Sequence, residues 1–206
     1  YTFCMCPGGF VVPSSSEEDG VVTNGMSEYS RSGSNANSAV VVSVDSRDFG
    51  SDWDSGIHYQ RQLEQAAFRL GGGSYRAPVQ TVGRFLAGQA GADFGRVEPT
   101  YAIGTQAADF DRLFSPGVAS MLRKGLENFA RKLPAYAAAD AVLTAPETRT
   151  SSPVRIPRGE NFQSAGLQGL YPCGEGAGYA GGIMSAAVDG IRCAGAVIGE
   201  YAPVQN

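Results

Sequence analysis

The sequence predicts a mixed α+β fold. An antiparallel, β-rich first part with two or three helices is expected to precede a strand, a glycine-rich turn and a final helix. Short apolar stretches alternate with turn residues near the N-terminus, apolar side chains recur at helical spacing in two internal segments, and a long apolar stretch follows the glycines near the C-terminus. A hydrophobic content of 43% with 17% charged residues is typical of an ordered chain.

The N-terminal part is predicted to be an antiparallel meander. Residues 2–6, 10–14 and 20–23 have the composition of short strands. They are separated by Pro-Gly-Gly at 7–9 and by an acidic turn at 17–20, and turn residues at these positions would return the chain to the next strand.

The middle of the chain is predicted to continue with a strand at 39–44, after a loop rich in Ser, Gly and Asn at 31–38. A helix is expected over residues 56–70, where apolar positions recur at helical spacing before three glycines at 71–73 stop it. A short helix is expected at 80–86.

A longer helix is predicted to begin at Pro116, because proline is tolerated in the first helical turn, and to end before Pro134. Residues 141–144 and 154–156 are predicted strands that return the chain toward a second domain. The helix has an apolar stripe that is interpreted as core packing. The stripe consists of Val118, Met121, Leu122, Leu126, Phe129 and Leu133.

The most informative segment lies near the C-terminus, where Gly-Leu-Tyr at 169–171 predicts a short buried strand. Glu175 follows in a glycine-rich turn, so a carboxylate stands at the edge of that strand and the glycines allow the backbone to approach a ligand. Residues 183–198 have helical length and spacing. The N–H groups at the start of this helix and its positive dipole end suit an anionic or electron-rich group.

Residues 169–190 resemble the C-terminal flavin-contacting motif of FAD-dependent oxidoreductases with the glutathione-reductase-like, Rossmann-like FAD-binding fold. The resemblance implies that Glu175, at a position where most members have Asp, accepts hydrogen bonds from the ribityl hydroxyls of FAD. It also implies that the backbone at the start of the following helix faces the flavin carbonyl. The cofactor-binding residues implied in this way are Gly174, Glu175, Gly176, Gly181, Gly182 and Ile183.

Three further segments, at 1–9, 22–27 and 147–156, extend the resemblance to the uncharacterised FAD-dependent dehydrogenases, or NAD(P)/FAD-dependent oxidoreductases. Members of that family begin with a strand, a Gly-x-Gly-x-x-Gly turn and a helix that bind the FAD pyrophosphate. The nearest string here, at 71–73, follows a helical pattern instead. The chain is therefore expected to be the C-terminal portion of a longer flavoprotein that binds FAD, with NAD(P)H as a candidate electron donor, and to be inactive alone.

The resemblance implies a substrate-type (insertion) domain over residues 1–145 and the C-terminal part of the FAD-binding domain over 146–206. In related two-domain flavoproteins the connection that returns from the substrate domain lies beside the flavin. Arg149 and Ser151 are therefore the candidate catalytic residues, since an arginine fork binds carboxylates or phosphates and stabilises negative charge on a reduced flavin. An exposed loop with a surface salt bridge is the alternative interpretation of this segment.

The four cysteines, Cys4, Cys6, Cys173 and Cys193, are interpreted as buried reduced thiols. The Cys-x-Cys spacing of the first two leaves an electron relay open as an alternative. No metal site is expected, because zinc sites usually have wider spacing and a second pair of ligands.

The single histidine, His58, is interpreted as a surface or partly packed residue rather than a general base, because no triad partner accompanies it. Asn161, Phe162 and Gln163 are interpreted as contacts to the cofactor or to another loop.

Charge and hydropathy indicate which partners to expect. A net charge of −4 with dispersed basic residues argues against nucleic acid, and no apolar run approaches the roughly 20 residues of a membrane span. We expect a cytoplasmic protein with an unidentified small-molecule substrate, whose C-terminal part exposes apolar surface and self-associates. Two functions stay open: a portion of an FAD-dependent oxidoreductase that transfers a hydride or electrons, and a non-catalytic binding module or scaffold built on a flavoprotein fold.

Overall fold

The computed structural model describes residues 1–202 and confirms the mixed α+β fold, with two three-stranded sheets in the described part of the chain. The strands are β1 (Thr2–Pro13), β2 (Thr23–Ser27), β3 (Asn35–Val40), β4 (Ala77–Thr81), β5 (Thr105–Ala107) and β6 (Val142–Thr144). The helices are α1 (Ser46–Phe49), α2 (Ser55–Leu70), α3 (Val82–Leu86), α4 (Pro116–Ala130) and α5 (Ile183–Tyr201).

The chain divides into two compact units. Unit 1 consists of Tyr1–Val44 and Tyr59–Thr148, and it contains both sheets together with α3 and α4. Unit 2 consists of Asp45–His58 and the chain from Arg149 onward, and it contains α1 and α5.

The first sheet has the order β2-β1-β3, and both pairings are antiparallel. The predicted strands at 2–6 and 10–14 are one continuous strand, so the predicted turn at 7–9 was wrong. The strand bends at Cys4 (φ 51°) and Gly8 (φ 56°), and its pairing with β3 shifts register around both residues. Such bulges bend a strand without ending it, which is why turn-forming residues here do not reverse the chain.

Strands β2 and β3 are displaced from the predicted positions. β2 begins only at Thr23, since residues 20–22 are buried but irregular. β3 covers polar residues that the sequence assigned to a loop, and it ends before residues 41–44. One of these residues has a tertiary partner, because the Ser38 hydroxyl lies 2.9 Å from that of Tyr136. Such a partner, which local sequence does not reveal, favours a polar residue in a strand.

The second sheet has the order β5-β4-β6, with β4 parallel to β5 and antiparallel to β6. Every residue of β4 is buried, yet the sequence predicted a helix over residues 80–86. Gln80 pairs with Leu143 in the sheet, and α3 starts after the strand. The buried Gln80 amide accepts from the Phe110 N–H at 3.0 Å and donates to the Gln89 carbonyl at 2.7 Å. These bonds offset the cost of burying a polar side chain.

The core of unit 1 contains Phe85, Phe110 and Leu126, which are at most 2% exposed. The first two rings meet edge to face, with their centroids 6.1 Å apart. Arg123 lies over this cluster: its guanidinium carbon is 4.3 Å from the Phe85 ring centroid, its Nε donates to the Phe85 carbonyl at 2.7 Å, and its Nη2 donates to Asp111 at 2.7 Å. One cation therefore links α4, the end of α3 and the turn that precedes α4.

Helices α2 and α4 confirm the predicted helices. α2 is followed by Gly72 (φ 83°) and Gly73 (φ 68°), as expected for a helix stopped by glycines. α4 begins at Pro116, and the hydroxyl of Ser115 accepts from the Val118 N–H at 3.4 Å. A capping side chain and an N-terminal proline thus define the start of α4.

The apolar stripe of α4 belongs to the core on one face only. Val118 and Leu126 are buried, and Leu122 packs against the core. Met121 is 46% exposed, and Leu133, which lies beyond the end of the helix, is 56% exposed. The interpretation of the stripe as core packing is therefore wrong for Met121 and Leu133.

Two predicted strands, at 154–156 and 169–171, do not form. In the second segment Leu170 is 43% exposed and its carbonyl accepts from the Ser164 N–H at 2.7 Å. A three-residue apolar run becomes a strand only where a neighbour completes the hydrogen-bond ladder. The predicted strand at 141–144 is confirmed as β6, because β4 supplies that neighbour.

Gly8→Ala is expected to lower the free energy of unfolding by more than about 3 kcal/mol. A Cβ at Gly8 would lie 1.8 Å from the carbonyl oxygen of Arg31, and a backbone atom cannot swing aside as a side chain does. The matched control is Gly72→Ala, which has a φ of 83° but no atom within 4 Å of the new Cβ. Only backbone strain of about 1 to 2 kcal/mol remains there. Urea denaturation measures both values, and equal destabilisation would contradict the collision.

Candidate functional site

The glycine-rich segment of unit 2 is a compact turn rather than the edge of a strand. Gly174 (φ 71°) and Gly178 (φ 82°) both adopt left-handed backbone conformations. The Gly178 N–H donates to the Glu175 carbonyl at 2.9 Å, and the Tyr179 N–H donates to the Gly174 carbonyl at 3.0 Å. These two bonds close the turn shortly before α5 begins.

Residues 152–156 pack directly on this turn. The Ser152 hydroxyl lies 3.3 Å from the Gly176 carbonyl oxygen. A Cβ at Gly178 would lie only 2.5 Å from the carbonyl oxygen of Val154, so glycine is required by close approach as well as by its positive φ. The segment predicted to carry catalytic residues is thus in contact with the turn predicted to hold the cofactor.

An ion pair between Arg158 and Asp189 holds the turn against α5. Arg158 Nη2 donates to Asp189 Oδ1 at 2.6 Å and Nη1 donates to Oδ2 at 3.0 Å, with the side chains only 10% and 13% exposed. Nη1 also donates to the Pro172 carbonyl at 2.7 Å, and Asp189 Oδ2 accepts from the Gly174 N–H at 2.9 Å. The hydrogen bonds from Arg158, followed by that from Gly174, lower the pKa of Asp189 to about 2.

Tyr179 lies against the side chains of Arg155 and Arg158. Its ring centroid is 3.7 Å from the guanidinium carbon of Arg158 and 4.8 Å from that of Arg155. Its hydroxyl accepts from the Arg158 N–H at 3.1 Å and donates to the Ile156 carbonyl at 3.0 Å. The last residue of the turn is therefore fixed by cation–π contacts and by two hydrogen bonds.

The Glu175 carboxylate of the turn and the N–H groups at the start of α5 are left without partners in the described part of the chain. Glu175 is exposed, and its carboxylate makes no hydrogen bond or ion pair with residues 1–202. Helix α5 has Gly182 as its N-cap and no Asp or Glu in its first turn, and Ser185 Oγ accepts only from the Gly182 N–H, at 3.2 Å. The first N–H groups of a helix have no intrahelical acceptor. Unit 2 thus offers a carboxylate and helix-start donors to a ligand.

The structure brings part of the predicted site together. Residues 174–176 form the turn, and 181–183 lead into α5 in the same unit. Arg149 and Ser151 are both exposed in unit 2, and it is the next residue, Ser152, that contacts the turn. The cofactor-binding and catalytic assignments of these residues stay predictions.

Arg158, Tyr179 and Asp189 organise this region, but none of them was among the site residues predicted from the sequence. Asp189 carried a usable signal, because it is the only acidic residue between Ile183 and Ile198. A carboxylate within a mostly apolar helix indicates a cationic or hydrogen-bonding partner. Nothing in the sequence pattern, however, identified Arg158 as that partner.

The unique histidine and the first two cysteines have ordinary surroundings. His58 is exposed and its Nε2 lies 3.2 Å from Asp54 Oδ2, in agreement with its interpretation as a surface residue. Cys4 is exposed and Cys6 is half-buried, and Cys173 in unit 2 is exposed as well. The interpretation as buried thiols was therefore wrong for these three cysteines, whereas the burial of Cys193 is confirmed. Burial raises the pKa of the Cys6 thiol, and Cys4 and Glu147 add to the rise. No cluster of three potential metal ligands occurs among residues 1–202.

Residues 161–163 contact other parts of unit 2. The Phe162 ring centroid lies 4.5 Å from the guanidinium carbon of Arg158. Gln163 donates to the Tyr171 hydroxyl at 3.1 Å, and that hydroxyl is hydrogen-bonded to Glu200 near the end of α5. The bond to Glu200 is the main cause that raises the pKa of Tyr171 to about 12. These contacts join the loop at 159–171 to the C-terminal end of α5.

Helix α5 exposes much of its apolar surface, as the sequence predicted for this part of the chain. The self-association expected from this surface stays a prediction. No helix in the described range 1–202 is both long enough and apolar enough to cross a membrane. The exposed apolar residues of α5 are Ile183, Met184, Val188, Ile191, Ile198 and Tyr201.

Comparison with known proteins identifies the family. Residues 1–150 match the family model described as FAD-dependent protein, C-terminal domain-like. The chain belongs to this family. The resemblance to FAD-dependent proteins is therefore confirmed at the level of a flavoprotein-related domain. An uncharacterised protein of Clostridium beijerinckii is 48% identical over 202 residues, which is 98% of this chain and 38% of the relative. The chain thus spans well under half the length of that relative.

Asp189→Ala is expected to lower the free energy of unfolding by about 2 to 4 kcal/mol, because it leaves the mostly buried Arg158 guanidinium without its carboxylate. The matched control is Asp93→Ala. Asp93 also forms a two-point pair, with Arg84, but its side chain is 70% exposed, so little change is expected. Urea denaturation measures both variants. If both variants lowered the free energy of unfolding by similarly small amounts, the Arg158–Asp189 pair would contribute no more to stability than an exposed pair does.

The contribution of Asp189 to stability is expected to be complete at neutral pH and to fade as the pH falls from about 4 toward 2. Its pKa is about 2 in the folded protein against an ordinary value of 3.8, so the unfolded chain takes up the proton first and acid favours unfolding. The difference in unfolding free energy between wild type and Asp189→Asn should therefore shrink over this interval. A difference independent of pH would contradict the expectation.

Proposed function

We propose that the chain is a portion of an FAD-dependent oxidoreductase, which transfers a hydride or electrons between NAD(P)H and an unidentified small-molecule substrate. The observation that carries the proposal is the turn of unit 2, where an exposed Glu175 carboxylate without a partner among residues 1–202 is followed by an α5 start free of acidic residues. Membership in the FAD-dependent family supports the choice of cofactor. A bound flavin would supply the redox chemistry.

The residues of the turn have chemistry suited to one half of FAD. In the proposal, Glu175 accepts hydrogen bonds from the ribityl hydroxyls, as its exposed carboxylate can. The backbone N–H groups at 181–183 face the electron-rich pyrimidine edge of the flavin, where the helix dipole favours negative charge. Arg158 and Asp189 do not contact the cofactor but keep the turn fixed to α5.

Arg149 and Ser151 are proposed to line the substrate side of the flavin. Support comes from the Ser152 hydroxyl, 3.3 Å from the Gly176 carbonyl, because this contact places their segment beside the turn. A guanidinium at this position would stabilise the negative charge that develops on the reduced ring. We assign residues 1–145 to the substrate-type domain and 146–206 to the C-terminal part of the FAD-binding domain.

Glu175→Ala, made in the longer protein that contains this chain, is expected to weaken FAD binding by about 1 to 3 kcal/mol through loss of hydrogen bonds to the sugar hydroxyls. The matched control is Glu160→Ala, which removes an exposed glutamate of the same unit. The ratio of flavin to protein after purification is the measurement. Equal flavin content in the two variants would contradict the role of Glu175, and a wild-type protein that never binds flavin would favour the non-catalytic binding module.

The 206-residue chain alone is expected to bind FAD more weakly than about 1 mM. Its sequence has the predicted ribityl and flavin-edge contacts but no strand, Gly-x-Gly-x-x-Gly turn and helix for the pyrophosphate. The remaining hydrogen bonds must offset an association cost of about 4 to 15 kcal/mol. Calorimetric titration with FAD measures the affinity. A micromolar dissociation constant would show that this chain contains a complete site.

A further inference from the structure

Cys173 and Cys193 lie on facing parts of unit 2. Cys173 is an exposed thiol at the start of the glycine-rich turn, whereas Cys193 is a thiol on α5 and only 4% exposed. The two residues that flank Cys173 are both hydrogen-bonded to side chains of α5. The Pro172 carbonyl accepts from the Cys193 thiol at 3.9 Å, and the Gly174 N–H donates to Asp189, one helical turn before Cys193. The chain on both sides of Cys173 is therefore held against the helical turn that contains Cys193.

Arg158 contacts both Cys193 and the residue that precedes Cys173. Arg158 Nη1 donates both to the Pro172 carbonyl at 2.7 Å and to Cys193 Sγ at 3.4 Å. Burial is the main cause that raises the pKa of Cys193, Arg158 opposes the rise, and a hydrogen bond with the Cys173 side chain adds to it. A neighbouring guanidinium favours the thiolate, which is the form that attacks another sulfur.

We propose that Cys173 and Cys193 are a reversible thiol–disulfide pair, oxidised by a peroxide and reduced by a dithiol. The exposed Cys173 reacts first, because reaction with peroxide requires access from solvent. The buried Cys193 then resolves the oxidised sulfur, with Arg158 next to it.

The proposed oxidation balances in two steps. The Cys173 thiolate attacks hydrogen peroxide: the S–O bond forms, the O–O bond breaks, and one water leaves after protonation, so that a sulfenic acid remains. The Cys193 thiolate then attacks the Cys173 sulfur: the S–S bond forms, the S–O bond breaks, and a second water leaves. In sum, two thiols and one hydrogen peroxide give one disulfide and two waters.

The disulfide would close a loop from 173 to 193 that contains Glu175 and the start of α5. Formation of this pair needs no flavin, so the proposal stands independently of the proposed function. The disulfide would affect the turn of the proposed function, however, because it would join the turn covalently to α5. The hydrogen bond from Gly174 to Asp189 already joins the same two segments.

The test is made on the 206-residue chain with Cys4→Ser and Cys6→Ser, which leaves the two cysteines of unit 2 as the only thiols. The folded protein is treated with hydrogen peroxide, then unfolded in urea so that the buried Cys193 is accessible, blocked with maleimide and analysed by mass spectrometry without reduction. We expect both thiols to disappear together, the monomer mass to fall by two hydrogen atoms, and one peptide to join residues 173 and 193. Dithiothreitol should restore both thiols.

Two single variants in the same background separate the roles of the cysteines. With Cys193→Ala, oxidation should stop at a Cys173 sulfenic acid that dimedone traps. With Cys173→Ser, the buried Cys193 should react with hydrogen peroxide about tenfold or more slower than Cys173 does in the Cys193→Ala variant. The proposal would be overturned if Cys193 still reacts with maleimide after Cys173 is oxidised, or if the disulfide joins two chains, as a dimer on a non-reducing gel would show.

Discussion

The ion pair of Arg158 and Asp189 is the interaction on which unit 2 depends. Burying two charges is costly unless their hydrogen-bonding capacity is filled, and here the pair also binds the Pro172 carbonyl and the Gly174 N–H. The same guanidinium stacks on Tyr179, at the other end of the turn. The turn is therefore held at both ends by one cation, while much of the apolar surface of α5 stays exposed. The ion pair, its hydrogen bonds and the stacking on Tyr179, more than apolar packing, hold the turn of the candidate site in place.

Helices α2 and α4 could be predicted, because their signals are local. A stretch of apolar positions at helical spacing, bounded by Pro116 or by the glycines at 71–73, needs no knowledge of distant residues. Strand β4 was missed for the opposite reason. It is buried at all its positions, so it shows no alternation, and its Gln80 is tolerated only because Phe110 and Gln89 satisfy the amide.

Part of the candidate site followed from sequence, and the rest depended on contacts far apart in the chain. The glycine-rich turn and the start of α5 form a continuous motif, so a resemblance could point to them, and the structure forms both a turn and a helix there. Arg158 and Asp189 are 31 residues apart, and periodicity cannot reveal such a pair. The three-residue run at 169–171 was taken for a strand because local composition does not show whether a neighbouring strand exists.

Arg123 has a consequence for protein engineering. Its side chain combines a planar stack on Phe85, a hydrogen bond to the backbone carbonyl of the same residue, and a pair with Asp111. Lysine would preserve the charge but has neither the flat face nor the fork of donors. A redesign of surface charge for solubility, which treats arginine and lysine as equivalent, should therefore leave position 123 unchanged, since a residue that looks like solvent-exposed charge in the sequence serves there as a packing element.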